Sequence, residues 1–552
     1  MGIVRSHRTA VGLALAAFAA SSAWSGAVGT AQAEVANGVF SSVTPCTLLD
    51  TTSPTSPVDG LLAGEPVEVS AAGTCGVPRD ATAVVVTLRV IDTVAAPGFL
   101  TVWPSGMAVP DASMLSWSTI GSTRTTSTIV ALAADGKLSL QSNVDADVSV
   151  DVSGAFTPAA TATAGRFASV TPARLLDSRT NGGPFAAGET RRVPLPAGVP
   201  ADAVALSLNV TTTKSLGAGF VTVAAAGGTP TSSSVLDTDG AGQTRAAAVF
   251  APASSAGIDV TSTAGGQVLV DIVGYFTGPS APASADGMFV ATLPTRVLDT
   301  RRAGSSVFYP SGAQVVDTTA VTGSVAAVVM SLTITRNAAL GFVTAFPAGG
   351  ALPNVSSVNA DEPLQNVSNT AVTASGAHGV NLAASMSTHL VADVLGWFTG
   401  SPMPDAPVPY VVRNEPPPPP PNCSYYATGR AAIIDKAAQR FWLCRDGVAV
   451  TGFRPLTSGP VNNAPVGTYH VFFKRDPWWG GGYQLRRFVA FAYGPNGGRI
   501  AFHQYVAMPE SGVGSAQYRD KSHGCMRIRT DDSYVVWNFL QYGDPVKVIT
   551  NG

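Results

Sequence analysis

Charge is scarce in this chain. Only 12% of its 552 residues are Asp, Glu, Lys or Arg, about half the usual share for a soluble protein. Alanine, glycine, threonine, valine and serine fill the gap, which disfavours a helical cytosolic enzyme and favours β-rich extracellular modules. Long helical periodicity is also absent. So is any apolar run beyond the N-terminus able to cross a bilayer, which takes roughly 20 residues; the mature protein is expected to have no transmembrane segment. Histidine is rare, with six in all, and the five cysteines are an odd number. In an oxidising compartment an odd count leaves at least one thiol unpaired or intermolecular. At 552 residues the chain is too long for one hydrophobic core and implies several domains.

The N-terminus indicates the compartment. Arg5 and Arg8 precede an apolar run from Val11 to Ala20, and Ala31-Gln32-Ala33 offers a small-x-small cleavage site. Residues 1–33 are therefore read as a secretory signal peptide, and the protein as secreted to the cell wall or a periplasm-like space. The run is too short for a comfortable transmembrane anchor.

The formal net charge is −2, but it is unevenly spread. Residues 34–422 hold 16 Lys/Arg against 27 Asp/Glu, and residues 423–552 hold 15 against 8. A basic C-terminal part attracts an anionic polymer. Export argues against nucleic acid, whereas peptidoglycan stem peptides, with free carboxylates, fit both charge and compartment. Domains also differ in surface charge without a ligand, so the asymmetry supports the reading and does not carry it.

Three landmarks recur three times in one order. The openings are Val43-Thr44-Pro45-Cys46-Thr47-Leu48-Leu49-Asp50, Val170-Thr171-Pro172-Ala173-Arg174-Leu175-Leu176-Asp177 and Thr292-Leu293-Pro294-Thr295-Arg296-Val297-Leu298-Asp299. Mid-repeat come Gly98-Phe99, Gly219-Phe220 and Gly341-Phe342, each followed by an apolar residue and threonine. The closings are Gly154-Ala155-Phe156, Gly274-Tyr275-Phe276 and Gly396-Trp397-Phe398. A solenoid repeat runs about 20–50 residues; these units are far longer, and each can hold its own core. The β-branched runs Val84 to Val90, Val204 to Val210 and Val328 to Ile334 are bounded by Gly, Pro and Asp and read as strands. Three tandem all-β domains follow, sandwich- or barrel-like: residues 34–158, 159–279 and 286–400. They resemble tandem β-modules of secreted actinobacterial proteins. Arg174, Asp177 and Arg179 match Arg296, Asp299 and Arg301, while the first copy keeps only Asp50. A ligand site is conceivable there; structural ion pairs or turn-capping aspartates are the favoured reading. The repeats hold no His/Cys cluster or catalytic set. They are read as spacers or wall-binding modules, with cell-wall polysaccharide as the ligand in the second case.

Residues 401–422 include Pro416 to Pro421, a run that adopts polyproline II and acts as a stiff spacer. The last domain, residues 423–552, reads as strands Arg430 to Ile434, Arg440 to Cys444, Tyr469 to Phe473, Phe488 to Phe491, Arg499 to His503 and Val546 to Ile549. Asp446-Gly447 marks a hairpin turn. A short helix starts near Asp531-Asp532-Ser533, where acids suit a helix N-terminus, and ends before Gly543. The chemistry gathers at Ser522-His523-Gly524-Cys525-Met526-Arg527, with His503 upstream. A thiol needs a base or an imidazolium partner to become a good nucleophile at neutral pH. Gly524 allows close backbone approach, and amides near Cys525 are candidates to hold an oxyanion. Pairing Cys46 with Cys75 and Cys423 with Cys444 is economical and leaves Cys525 free. Three alternatives stay open: a Cys525 disulfide, an inert buried Cys525, or a zinc site with His503 and His523.

The segment resembles the catalytic domain of the L,D-transpeptidases, which carry a histidine and then, some fifteen to twenty residues on, Ser/Thr-His-Gly-Cys. Thr457-Ser458-Gly459, Pro465-Val466-Gly467-Thr468-Tyr469 and Gly543-Asp544-Pro545-Val546-Lys547-Val548 also fit that family. The match covers about residues 425–550. The resemblance implies a β-rich catalytic domain with Cys525 as acyl-enzyme nucleophile and His503 as general acid/base. Ser522 and His523 shape the site, Gly524 belongs to the motif, and Arg527 supports the pocket or loop. No cofactor and no metal are implied. In the family a backbone carbonyl after the first histidine orients its ring; here that residue is Gln504, where Gly or Ser is commoner. Trp478-Trp479-Gly480-Gly481-Gly482-Tyr483 reads equally as a substrate lid or a packed loop. The expected activity is peptidoglycan L,D-transpeptidation forming 3→3 cross-links. The competing readings are an L,D-carboxypeptidase and a wall-binding or adhesive protein with a weak catalytic domain.

Overall fold

The computed structural model describes residues 37–549 apart from 229–232, 303–306, 309–312, 406–421, 460–464, 507, 509–512, 514–521 and 523. The signal-peptide reading and the run Pro416 to Pro421 lie outside the described residues. No helix among the described residues is long and apolar enough to cross a membrane. The chain is mainly β, as its composition implies.

Each β-branched run is a central strand: Ala83–Ile91, Ala205–Thr213 and Ala327–Thr335. On one side it pairs with the closing-motif strand, Asp147–Pro158, Gln267–Phe276 or His389–Phe398. On the other it pairs with Arg124–Ala131, Arg245–Pro252 or Val367–Ala374. The opening-motif strand pairs the far edge of the closing strand. The Gly-Phe motif lies in a second four-stranded sheet in every copy. In the second copy Leu206, Val210, Val223, Val260 and Val270 form the apolar layer. Each unit is thus a sandwich of two four-stranded layers, and a Gly38–Phe289 pairing joins one layer of the first unit to one of the third as a single eight-stranded sheet.

The copies follow one another in the chain, and each has an apolar layer of its own. They close around a shared aromatic centre. Phe40 of the first stacks on Phe276 of the second at 4.3 Å, and Phe167 of the second on Phe398 of the third at 4.2 Å. Phe289 of the third returns to Phe156 of the first at 4.7 Å. Such pairs add about 0.5–1.5 kcal/mol each beyond area burial. The closing-motif glycines follow from this packing. A Cβ on Gly154, Gly274 or Gly396 would stand 2.3–2.4 Å from the ring of Phe40, Phe167 or Phe289, the copy's own opening phenylalanine.

Polar contacts repeat the same cycle. Thr123 N–H donates to Asp239 at 2.7 Å and Arg124 pairs with it at 2.9 Å. One copy on, Thr244 N–H donates to Asp361 at 3.0 Å and Arg245 pairs with it. At the third junction Asn366 N–H donates to Ser118 Oγ. Buried Asn369 is where all three meet. Its Oδ1 accepts from Thr126 Oγ1 and Ala248 N–H, and its Nδ2 donates to Asn209 Oδ1 and Ser357 O. The Arg/Asp pattern is part of this scaffold: Arg174 and Arg296 pair with Asp271 and Asp393, both fully buried. Asp177 and Asp299 cap their own turns through the N–H of Arg179 and Arg301.

Disulfides join Cys46 to Cys75 and Cys423 to Cys444, each with Cα atoms 5.7 Å apart, and Cys525 is a free thiol. In the C-terminal part, one sheet runs Val448–Ala449, Arg440–Arg445, Arg430–Asp435, Pro545–Ile549, Gly467–His470, with Arg454–Pro455 also on Arg440–Arg445. The second runs Phe473–Arg475, Phe488–Tyr493, Arg499–Gln504, Met526–Ile528. The expected strand Tyr469 to Phe473 is in fact two, one in each sheet. Val471 exchanges backbone bonds with Gly543 and Asp544, and Phe472 N–H turns to Ala490 O, so the chain changes sheets there. The helix is Thr530–Phe539, with Asp531 and Asp532 in its first turn. Phe441, Phe491 and Phe502 fill the space between the sheets.

Candidate active site

The site forms where two strands run parallel. Phe502 of Arg499–Gln504 pairs with Met526 of Met526–Ile528. His503, just after the one, and Cys525, just before the other, flank that pair. Strand alternation makes Phe502 and Met526 core residues, both fully buried. That fixes the register on which the site depends.

Cys525 sits in an apolar wall with Phe472, Phe473, Trp478, Leu485, Phe488 and Ala501. Its thiol donates to Arg499 O at 3.5 Å. Burial pushes the thiol above its ordinary value; the Ala501 backbone and the charge of Arg527 oppose that shift only in part. His503 is 2% exposed. Burial holds its imidazole down at about 4, with the Gln504 carbonyl pulling the other way and Arg527 adding to the fall. Both groups are therefore neutral at pH 7. His503 Nδ1 lies 2.7 Å from Gln504 O. A carbonyl only accepts, so Nδ1 carries the proton and the Nε2 lone pair is left as the base. The His503 ring also stacks on Phe488, with centroids 6.0 Å apart.

The loop before Cys525 is folded by Ser522. Its Oγ accepts from Gly524 N–H at 3.0 Å and donates to Cys525 O at 2.6 Å. Gly524 has φ +128°, which favours glycine. Its N–H is committed to Ser522, so it is not an oxyanion donor in this arrangement. Thr457-Ser458-Gly459 packs against this turn: Thr457 and Arg527 exchange backbone bonds at 2.8 and 2.9 Å. A Cβ on Gly459 would stand 2.4 Å from Ser522 O and 2.5 Å from Gly524 N. Arg527 thus braces the loop, and its Nη1 reaches toward Met508 Sδ at 4.0 Å. His523 lies outside the described residues.

Gln504 keeps the carbonyl role despite its size. Its side chain points away from the ring: Oε1 accepts from Arg487 at 3.1 Å and Nε2 donates to Thr530 Oγ1 at 3.0 Å. Arg487 also donates to Ser533 Oγ and lies 3.2 Å from the Tyr534 ring centroid. Nothing local in the sequence marks Arg487, Thr530 and Ser533 as supports of His503; they converge only through tertiary packing. The tryptophan stretch is a hairpin, Trp478–Gly480 with Tyr483–Leu485, turned by Gly481 and Gly482 at φ +58° and +80°. It is packed and open at once: Trp478 joins the thiol's wall, while Trp479 is 68% exposed.

Residues 429–548 match the family model of the YkuD L,D-transpeptidase catalytic domain. Among solved structures, an L,D-transpeptidase from Stackebrandtia nassauensis aligns at 23% identity over 22% of this chain and 57% of that one, with a TM-score of 0.19. One from Xylanimonas cellulosilytica aligns at 20% over 24% and 64%, TM-score 0.19. One from Mycobacterium tuberculosis aligns at 18% over 30% and 73%, TM-score 0.19. The chain thus spans under two thirds of the first two. No curated protein matches it.

Proposed function

We propose that the L,D-transpeptidase catalytic domain at residues 429–548 makes this chain an exported peptidoglycan cross-linking enzyme with Cys525 as its nucleophile. The observation that carries the reading is a free, apolar-walled thiol flanking the same strand pair as a neutral imidazole whose Nδ1 is tied to a carbonyl. Such a pair performs acyl transfer without a resting ion pair. Cys525 Sγ attacks the carbonyl of the amide that joins the third residue of a tetrapeptide stem to its terminal D-alanine. His503 Nε2 takes the thiol proton and hands it to the D-alanine nitrogen as the C–N bond breaks. D-Alanine leaves and a thioester remains. The side-chain amine of a second stem then attacks the thioester, losing its proton through His503 to the departing thiolate. The product is a 3→3 cross-link and the free enzyme. Water as acceptor would give an L,D-carboxypeptidase. The charge excess of residues 423–552, 15 Lys/Arg against 8 Asp/Glu, suits carboxylate-bearing stems, and the three β-units place the enzyme on the wall.

Incubating the protein with purified disaccharide-tetrapeptide and weighing the products tests this. A dimer lacking one D-alanine supports transpeptidation, and a tripeptide supports hydrolysis. Turnover that survives Cys525→Ala sinks both.

A further inference from the structure

The three β-units meet at three junctions related by the internal repeat. We propose that two of these junctions are binding sites for an anionic glycan. The inference deepens the wall-placement part of the reading above and is independent of the chemistry at Cys525.

The groove between the third and first units opens into a cavity of about 850 Å³ lined by Phe99, Asn143 and the carboxylate of Asp111 from the first, by Arg296, Arg301 and Arg336 from the third and by Arg445 of the C-terminal part. That volume lies within the range of ligand pockets, roughly 300–1,000 Å³. Phe99 is 40% exposed, yet its position is fixed: its N–H donates to Asn143 Oδ1 at 2.6 Å. Arg301 is held by a two-pronged pair with Asp299, at 2.8 and 2.7 Å. Arg336 differs from both of its arginine neighbours. It is exposed, makes no ion pair among the described residues, and takes φ +52°. The same left-handed position recurs in every copy, so the turn belongs to the fold and only the side chain it presents differs. Scaffold duty accounts for Arg296 and Asp299. It accounts neither for an exposed phenyl ring nor for an exposed cation without an ion pair among the described residues.

The internal repeat supplies the control. At the junction between the second and third units, Phe342 is again 40% exposed, with its N–H on Ser385 Oγ at 2.8 Å. Arg174 reaches across to Asn354 O as Arg296 reaches Asp111. The cation recurs as Lys214, exposed, at φ +50° and without an ion pair among the described residues. At the remaining junction Phe220 stays, but Thr47 and Thr52 stand where the arginines were, and the left-handed position holds Asp92 at φ +41°. The backbone is kept and the charge reversed. The surrounding body is acidic, with 27 Asp/Glu against 16 Lys/Arg over residues 34–422, so these cations are not part of a generally basic surface. A phenyl face suits the C–H face of a sugar ring. Guanidinium and ammonium groups suit carboxylate or phosphate. Two equivalent sites on one body favour a polymer through avidity.

Calorimetry of the full-length protein with tetragalacturonate, a glycerol-phosphate oligomer and neutral cellotetraose decides the matter. The expected result is two sites per chain for tetragalacturonate, with at least tenfold weaker binding of cellotetraose; binding of the glycerol-phosphate oligomer alone, which has no sugar ring, overturns the glycan assignment. Arg336→Glu or Phe99→Ala should leave one site, and so should Lys214→Glu or Phe342→Ala. The double Arg336→Glu/Lys214→Glu should leave none, whereas Asp92→Ser should keep both. Unchanged melting and unchanged turnover of soluble tetrapeptide establish that each variant is folded. Equal binding of cellotetraose, no binding of either anionic probe, or full binding by the double variant overturns the proposal while leaving the acyl-transfer reading intact.

Discussion

At the scale of single residues, the environment of His503 sets the pH behaviour. Its folded value of about 4 lies below the ordinary 6.5, so the native ring resists protonation that the unfolded ring accepts. Stability of the C-terminal domain is therefore full above about pH 6.5 and is lost as pH falls toward 4. The acid limb of kcat/KM should likewise fall near 4, where the imidazole takes up its proton; a midpoint above 6 would mean that burial does not hold His503 down in the working enzyme. A carbapenem should acylate Cys525, because its strained ring presents an acyl carbon to the same sulfur. Intact mass should rise by one adduct, and an adduct that survives Cys525→Ala would place the nucleophile elsewhere. Ser522→Ala removes both bonds that fold the loop and leaves the buried Gly524 N–H without its partner. Misplacing the sulfur this way should lower kcat roughly a hundredfold, with Cys525 still labelled by a thiol reagent. Unchanged kcat would mean the loop holds itself.

At the scale of elements, parallel pairing of Arg499–Gln504 with Met526–Ile528 brings together two segments more than twenty residues apart in sequence. The Cys525 thiol and the His503 ring are thereby set by sheet register, and a one-residue slip would turn each to the opposite face. The same dependence on close approach appears in the repeats. Gly274→Ala drives a methyl group into Phe167 and Ala168 O, a fault that overpacking prices at about 1–3 kcal/mol. Thermal unfolding of that variant should shift downward; an unshifted midpoint would mean the aromatic centre yields freely.

At the scale of the whole molecule, the closed cycle of three units predicts cooperativity. Asn369 joins all three, and replacing it by Leu strands buried polar partners in each, at about 1–3 kcal/mol for an unsatisfied group. Residues 37–405 should melt in one calorimetric transition, which Asn369→Leu lowers without splitting. Three separable transitions would mean independent units. A fragment starting at Asn422, tied by Cys423–Cys444, should fold and process soluble tetrapeptide near the full-length rate, yet sediment poorly with purified walls. Loss of small-substrate turnover in the folded fragment would mean that the β-units help to build the active site.

The linear chain by itself determined the kinds of element and the chemistry. Strands came from β-branched runs such as Val328 to Ile334, the helix start from Asp531 and Asp532, and the proposed nucleophile–base pair from Cys525 and His503 standing among so few cysteines and histidines. These are local signals, readable because side-chain periodicity and motif spacing act over a few residues. The break between Gly467–His470 and Phe473–Arg475 was not readable, because Val471 and Phe472 look like any strand interior until Gly543, Asp544 and Ala490 arrive as partners. The anchoring of Gln504 by Arg487 and Thr530, the approach of Gly459 to Gly524, and the closure of three sandwiches on one aromatic centre were decided by tertiary structure alone. Each rests on contacts between residues distant in sequence, and only packing, with its demand that buried polar groups find partners and buried rings leave no gap, selects them.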